Sequence, residues 1–304
     1  MFQNGVKNLT LIVPCYNEEK MIPEFLPRLI AFCEEHGFDL IVVDDGSVDR
    51  SPELLKSYQS ECLRVLVHKE NMGYGAAIKT GVFRAATKYV VTVDADGQHE
   101  LDDVLVLLAR AEQDRADMVV GERPAGSDVS LYRRIGKGII RGFAHMVMDT
   151  RIRDINSGMK LYRRDMALEF FPLCPDDMAF SDIILLFFIS FRRRVAAENI
   201  SVRPRTCGTS TIRTRTALAT LWEIGQIIVL FHPFRFFGWI GGVIGITALI
   251  WEIRCFLLTA QISVGSSFAL TFAAMMFFLG MITEHLCRLR KQSIRVWEWT
   301  DDEE

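Results

Sequence analysis

The sequence predicts an α/β domain with a mostly parallel sheet, followed by a juxtamembrane amphipathic helix and a two-helix transmembrane hairpin. Three observations lead there. From residue 9 to about 121, short β-branched runs alternate with longer amphipathic segments, the pattern of successive βα units. The short runs are continuously apolar, as strands buried on both faces are, and their polar residues gather at the C-terminal ends. After Arg215 the composition turns apolar over two stretches of about 20 residues or more, enough to cross a hydrocarbon core of roughly 30 Å.

Taken in order, LTLIV, DLIVVDD, CLRVLVHK, KYVVTVDAD and ADMVVGER are the predicted strands. EEKMIPEFLPRLIAFCEEH and SPELLKSYQS have helical spacing, and GYGAAIKTGVFRAAT is a helix opened by glycines. Residues 122 to 215 carry RDINSGMKLYRRDM and RPRTCGTSTIRTR with no Pro/Gly/Ser linker before them, so 1–215 reads as a single domain. TALATLWEIGQIIVLFH, 216–232, is expected to lie at a membrane surface as an amphipathic helix. Residues 233–290 hold two spans, about 235–257 and 264–286, and 291–304 form a tail. Arg235 precedes the first span and Arg288, Arg290, Lys291 and Arg295 follow the second, while the link TAQISVGS is uncharged. That bias puts both ends of the hairpin in the cytoplasm. Glu252 and Arg254 sit near the far end of the first span, where they can snorkel or pair.

Composition narrows the function classes. The chain has 304 residues, 50% of them hydrophobic, and a formal charge of -3. The charge is uneven: Arg203, Arg205, Arg213 and Arg215 cluster before the apolar region, which argues against nucleic-acid binding and for an anionic surface or substrate nearby. Seven scattered cysteines without CxxC spacing read as reduced thiols, not a disulfide frame or a zinc site. MFQNGVKNLTLIVP lacks a basic region followed by a long apolar core, so no secretory signal is expected.

Ligands in open α/β sheets bind at the C-terminal ends of the strands. Three such ends carry polar residues here: Tyr16, Asn17 and Glu18; Asp44 and Asp45; Asp94 and Asp96. Two carboxylates at i and i+2 on an extended strand end face the same side, and Gln98 adds a neutral oxygen. The DxDxQ set is a partial shell for a hard divalent ion such as Mg²⁺ or Mn²⁺ shared with a diphosphate. The same acids would also suit the first turn of a helix starting near Glu100 to Asp103. His99 could touch substrate or metal, yet a lone histidine beside a turn is more often solvated, and it is left out of the site. No Ser/His/Asp or Cys/His grouping suggests a covalent nucleophile.

LIVPCYNEE, IVVDDGSVDRS, HKENMGYGAAIKTG, VTVDADGQHELDD and DINSGMKLYRRD occur in this order. Together they resemble the family 2 glycosyltransferases of GT-A fold. With RPRTCGTS and the hairpin, the chain is most similar to the polyprenyl-phosphate glycosyltransferases, the group that includes dolichyl-phosphate mannose synthases. The resemblance implies that Pro14, Tyr16, Glu18 and Asp44 line a nucleoside pocket, that Asp94 lies by the donor, and that Asp96 and Gln98 hold Mg²⁺ or Mn²⁺. It assigns Arg123, Arg134 and Arg205 to phosphate groups of acceptor and donor, with Arg133 an equal choice within its pair and Ser210 beside the acceptor phosphate. Guanidinium suits phosphate because its fixed fork matches two oxygens. The implied reaction is inverting transfer of a sugar from a nucleotide sugar, UDP-glucose or GDP-mannose foremost, to undecaprenyl or dolichyl phosphate on the cytoplasmic face of an inner membrane. Two departures stand out: Tyr74 and Thr211 occupy positions where relatives often carry lysine. GYG by itself reads as a helix opening or a close-packing site. The alternatives are a membrane glycosyltransferase with a non-lipid saccharide acceptor and a non-catalytic, membrane-tethered sugar-nucleotide-binding protein.

Overall fold

A computed structural model describes residues 8–95, 99–123, 152, 154, 157–201, 229, 231 and 233–295. Asp96, Gln98, Arg133, Arg134, Arg205, Ser210 and Thr211 lie outside the described residues, as do nearly all of the expected juxtamembrane helix 216–232 and the end of the tail. The chain divides into two compact units, Met1–Arg213 and Thr214–Glu304.

The first unit is a seven-stranded sheet. Its strands are β1 (Leu9–Cys15), β2 (Asp39–Asp44), β3 (Leu63–Val67), β4 (Tyr89–Thr92), β5 (Met118–Glu122), β6 (Lys160–Arg163) and β7 (Val195–Asn199). They lie in the order β3-β2-β1-β4-β6-β5-β7. β6 runs antiparallel to both β4 and β5, and the other pairs are parallel. The five strands read from apolar runs are all present. Leu11, Ile12, Val13, Leu40, Ile41, Val42, Val43, Val90 and Val91 are at most 3% exposed, as both-faces-covered strands require, and each such side chain contributes roughly 1.5–3 kcal/mol of burial. β6 and β7 come from the stretch that showed no strand signal; KLYR places a lysine at a fully buried position.

Helices cover the sheet. α1 (Ile22–His36) buries Ile22, Phe25, Leu26, Leu29, Phe32 and Cys33, a stripe at helical spacing, and Gly37 ends it in left-handed conformation. α2 (Ser51–Ser57), α3 (Tyr74–Arg84) and α4 (Asp102–Asp114) follow the expected segments. α5 (Arg164–Phe170) and the apolar α6 (Phe180–Ser190) complete the unit, meeting through Phe170, Phe187, Phe188 and Phe191. Of the parallel strands, β1 is flanked by β2 on one side and β4 on the other, so the strand order reverses there, and it is above the carboxyl ends at such a reversal that open α/β sheets bind ligands.

The second unit contains α7 (Pro233–Thr259) and α8 (Val264–Arg295). Segments Pro233–Thr259 and Val264–Leu289 are long and apolar enough to cross a membrane. Their mutual face is built from small residues: Gly241 meets Ala273 O and Met276, and Gly245 meets Ala273. Glu252, near the far end of the first span, accepts hydrogen bonds from Ser263 N–H at 3.3 Å and from the Ser266 hydroxyl. Trp239, Ile246, Leu257, Phe268 and Phe278 point outward, 60% or more exposed.

Candidate active site

The loops after β1 and β2 are laced together by side chains. Asn17 N–H donates to Ser47 Oγ at 2.9 Å, Val48 N–H returns to Asn17 Oδ1 at 2.9 Å, and Glu18 N–H donates to Ser51 Oγ at 2.9 Å. Glu19 N–H donates to Asp49 Oδ2 at 3.1 Å. Asn17 has φ 55°, a left-handed conformation that Asn tolerates better than most residues. These bonds satisfy backbone groups that no strand reaches. They hold Pro14 and Glu18 half-buried and leave Tyr16 41% exposed at the rim.

Asp44 and Asp45 are neighbours with opposite fates, because successive residues at a strand end point to opposite sides. Asp45 is turned toward His68 and the start of α3. Its Oδ1 faces His68 Nδ1 at 2.7 Å and accepts from Met72 N–H at 2.9 Å, and its Oδ2 accepts from Gly73 N–H at 2.8 Å. It therefore clasps the loop that enters α3, where the sequence grouped it with the cleft acids. Asp44 is fully buried; its Oδ1 accepts from Ser47 N–H at 3.1 Å, while its Oδ2 has no hydrogen-bond partner among the described residues. A buried carboxylate oxygen left unmatched is costly unless something else supplies a donor.

Asp94 stands two residues beyond β4. Its Oδ1 accepts from the Tyr74 hydroxyl at 3.0 Å, and its Oδ2 lies 3.7 Å from His99 Nε2. Gly158 passes so close that a Cβ there would overlap Oδ2. Burial pushes the Asp94 carboxyl up, but the His99 imidazole, the Tyr74 hydrogen bond and the charge of Lys160 together outweigh it and hold the group below the usual carboxylate range. Burial drives the Tyr74 hydroxyl well above its ordinary value, and Asp94 adds to that, so Tyr74 is a neutral donor. His99 is buried, 6% exposed, and its Nδ1 has no partner among the described residues; the expectation of a solvated histidine is corrected. His99 is followed by Leu101 and Val104, which anchor the start of α4 in the core.

Lys160 pairs across β4 and β6 with Thr92. It is 1% exposed, and its Nζ donates to Ser181 O at 2.8 Å and Ser181 Oγ at 2.5 Å. Burial pushes its pKa down to about 8 against the opposing pull of Asp182, Asp154 and Asp94. Sequence reading missed this residue; a lysine between apolar neighbours in MKLY was the available signal. Arg123 follows β5, whose carboxyl end lies at the same edge of the sheet as that of β4. Its Nε and Nη2 donate to Asp154 Oδ2 and Oδ1 at 2.6 and 2.9 Å.

The glycines of GYG serve close packing, the reading the sequence favoured. Gly73, with φ 103°, and Gly75 both abut the 175–177 backbone, and a Cβ on either would collide with it. Lys79 fastens the same segment, donating to Cys174 O and Asp176 Oδ1 at 2.6 Å each. Among the described residues no group of three or more His, Cys, Asp or Glu stands together as a metal site.

A family model described as "Glycosyl transferase family 2" matches residues 10–171. Dolichyl-phosphate beta-glucosyltransferase of Dictyostelium discoideum is 31% identical over 207 residues, 61% of this chain and 63% of that protein, so the match spans less than two thirds of that relative. Undecaprenyl-phosphate 4-deoxy-4-formamido-L-arabinose transferase of Photorhabdus laumondii subsp. laumondii is 25% identical over 300 residues, 93% of this chain and 90% of that one. Among solved structures, glucosyl-3-phosphoglycerate synthase from Mycobacterium tuberculosis in complex with Mn²⁺, UDP and phosphoglyceric acid superposes with TM-score 0.53 at 17% identity, covering 73% of this chain and 76% of that one. At that identity the likeness speaks for the fold alone. With the family model spanning more than half of the sequence, on a sheet whose reversal point gathers Asp44 and Asp94, the chain belongs to glycosyl transferase family 2.

Proposed function

We propose that this protein transfers a sugar from a nucleotide-diphosphate sugar to a polyprenyl phosphate at a membrane, with inversion at the anomeric carbon. The observation that carries the donor side is the enclosed, unmatched Oδ2 of Asp44 at the carboxyl end of β2: a nucleoside N–H or O–H is the kind of donor it lacks. The names of the two curated relatives, both polyprenyl-phosphate sugar transferases, and the two helices long enough to span a bilayer support the lipid acceptor.

In this reading Pro14, Tyr16, Glu18 and Asp44 bind the nucleoside, and Asp94, held ionised, takes hydrogen bonds from the donor sugar. Asp96 and Gln98 would hold Mg²⁺ or Mn²⁺, which when bound offsets the charge of the departing nucleotide diphosphate. The donor set fits such an ion. Both groups offer oxygen, and they follow by two and four residues an Asp94 whose carboxylate is fixed in place and partly open, 31% exposed. The acceptor phosphate brings an oxygen already ionised at neutral pH, so no strong protein base is needed. What remains is to bring two anions together and align them, the work of Arg123, Arg134 and Arg205, with Arg133 and Ser210 nearby. Asp154 holds the Arg123 fork in a single orientation. The domain plan follows: a GT-A catalytic domain over 1–215, a juxtamembrane helix over 216–232, two spans within 233–290 and a cytoplasmic tail, multi-pass in an inner membrane with the catalytic domain on the cytoplasmic face. A polyprenyl chain leaves the bilayer at about 0.8 kcal/mol per CH₂, which gives the hairpin its purpose.

The test is transfer of radiolabel from UDP-glucose and from GDP-mannose to a short polyprenyl phosphate with Mg²⁺ or Mn²⁺, for wild type and Asp96→Ala. A metal-dependent, organic-extractable product from the wild type, absent in the variant, is the expected result. Nucleotide-sugar hydrolysis or binding without lipid product would overturn the acceptor assignment.

A further inference from the structure

Asp94 is gripped from three separate parts of the chain. Tyr74, the first residue of α3, donates its hydroxyl to Oδ1; His99 faces Oδ2; and the Gly158 backbone closes against Oδ2 where no side chain fits. α3 in turn has little freedom to shift. The loop that enters it is clasped by Asp45 at Met72 and Gly73, its first turn is bonded through Ala76 N–H to Asp176 O at 3.1 Å, and Lys79 further along ties it to Cys174 O and Asp176. Tyr74 therefore delivers its hydroxyl from a fixed base.

We infer that Tyr74 is a positioning residue of the donor site, whose hydroxyl orients the Asp94 carboxylate so that Asp94 can grip the donor's sugar. The inference rests on the donor-site reading of Asp94. A carboxylate on a strand-end turn can rotate about its side-chain torsions; it makes a directional bond to a sugar hydroxyl only while one oxygen is pinned. Tyr74 is suited to this because it is neutral and donates without neutralising Asp94, and because its hydroxyl reaches from the start of α3 to the strand end beyond β4. A lysine at this position would also donate to Asp94. Phenylalanine would fill the same space and donate nothing.

That contrast supplies the test. The full chain is purified in detergent with Mg²⁺, and binding of UDP-glucose and of UDP is measured by calorimetry for wild type, Tyr74→Phe and Tyr74→Lys, beside thermal unfolding. GDP-mannose and GDP replace that pair if the transfer assay selects mannose. A hydrogen bond to a charged group is worth about tenfold or more in binding. Tyr74→Phe is expected to weaken UDP-glucose about tenfold, leave UDP within about twofold and keep the unfolding midpoint; Tyr74→Lys is expected to stay nearer to wild type than Phe does. A packing role reverses that order, with Phe tolerated and Lys damaging, and this outcome would overturn the inference. Equal losses for UDP and UDP-glucose would also overturn it, because the hydroxyl would then serve the nucleotide or the fold. If wild type binds UDP yet gains nothing from the sugar, the donor-side reading of Asp94 falls and the role of Tyr74 with it. If wild type shows sugar-dependent binding and Tyr74→Phe matches it, only the role of Tyr74 falls.

Discussion

In the loops above β1 and β2, backbone N–H groups of Asn17, Glu18, Glu19 and Val48 end on side-chain oxygens, whereas α7 and α8 meet through glycine, alanine and aromatic contacts such as Phe234 on Phe277, 5.2 Å between centroids. The loops have no ladder to satisfy their backbone, so polar side chains must do it, and each such bond also fixes where a neighbouring carboxylate points. A helix satisfies its own backbone, which leaves shape as the means of joining two apolar helices. Even the hairpin's polar contact, Glu252 with Ser263 and Ser266, lies at the turn end. The lesson concerns tolerance: the loops should respond sharply to changes of an ångström or less, and the hairpin gradually.

The largest expected effect tests that sharpness at another strand end of the same sheet, beyond β4. Gly158→Ala puts a methyl group where Asp94 Oδ2 now lies. Gly158 stands two residues before β6, its carbonyl held by the Thr92 hydroxyl at 2.7 Å and the strand after it paired with β4 and β5, so the carboxylate must yield. A misplacement on the order of 1 Å is enough to cost about 100-fold in turnover. We expect a loss of that size in sugar transfer, with a modest drop in thermal stability. Transfer within about threefold of wild type would show that Asp94 need not be held in place, and the contrast between the two regions would lose its basis.

The hairpin supplies the intermediate case. A Cβ at Gly241 would stand 3.0 Å from Ala273 O and 3.2 Å from Met276 Cβ, while one at Gly242 meets nothing within 4 Å. Gly241→Val should weaken the pairing of α7 with α8 by about 1–3 kcal/mol through overpacking, measured by reversible SDS unfolding, and Gly242→Val should leave it nearly unchanged. Equal effects at the two positions would mean that the glycines act through helix propensity and not through the shared face.

How much of this was legible depended on whether the signal was local. The apolar runs announced β1 to β5, and the two long spans announced α7 and α8, because burial on both faces and the length of a bilayer leave marks in composition alone. The strand-end placement of Asp44 and Asp94 followed from the same runs. β6 was illegible because KLYR reads as a polar surface segment; only the fold reveals that Lys160 is enclosed beside Ser181. Asp45 and His99 were misread for a related reason. Their partners, Gly73 and Met72 in one case and Asp94 across a turn in the other, are set by tertiary approach. Tyr74 looked like a lost lysine, while its hydroxyl has a partner twenty residues away.

The smallest effect concerns the one feature of the first unit that sequence most disguised. Lys160 carries its charge in a buried site, and burial lowers its pKa from 10.5 to about 8. The unfolded chain keeps that proton until near 10.5, so between about pH 8 and 10.5 it binds more protons than the folded chain. Stability from this group therefore rises with pH across that window, and the cost of enclosing the ammonium is fully present below it. Lys160→Met has no such proton to lose. Comparing thermal unfolding of wild type and Lys160→Met from pH 7 to 10, the difference should move in favour of wild type as pH passes 8. A flat difference would mean that the contacts with Ser181, together with the carboxylates of Asp182, Asp154 and Asp94, match the charge as fully as water does. The enclosed lysine would then be a charged but fully matched strut of the sheet, as indifferent to pH over that range as the glycine face of the hairpin.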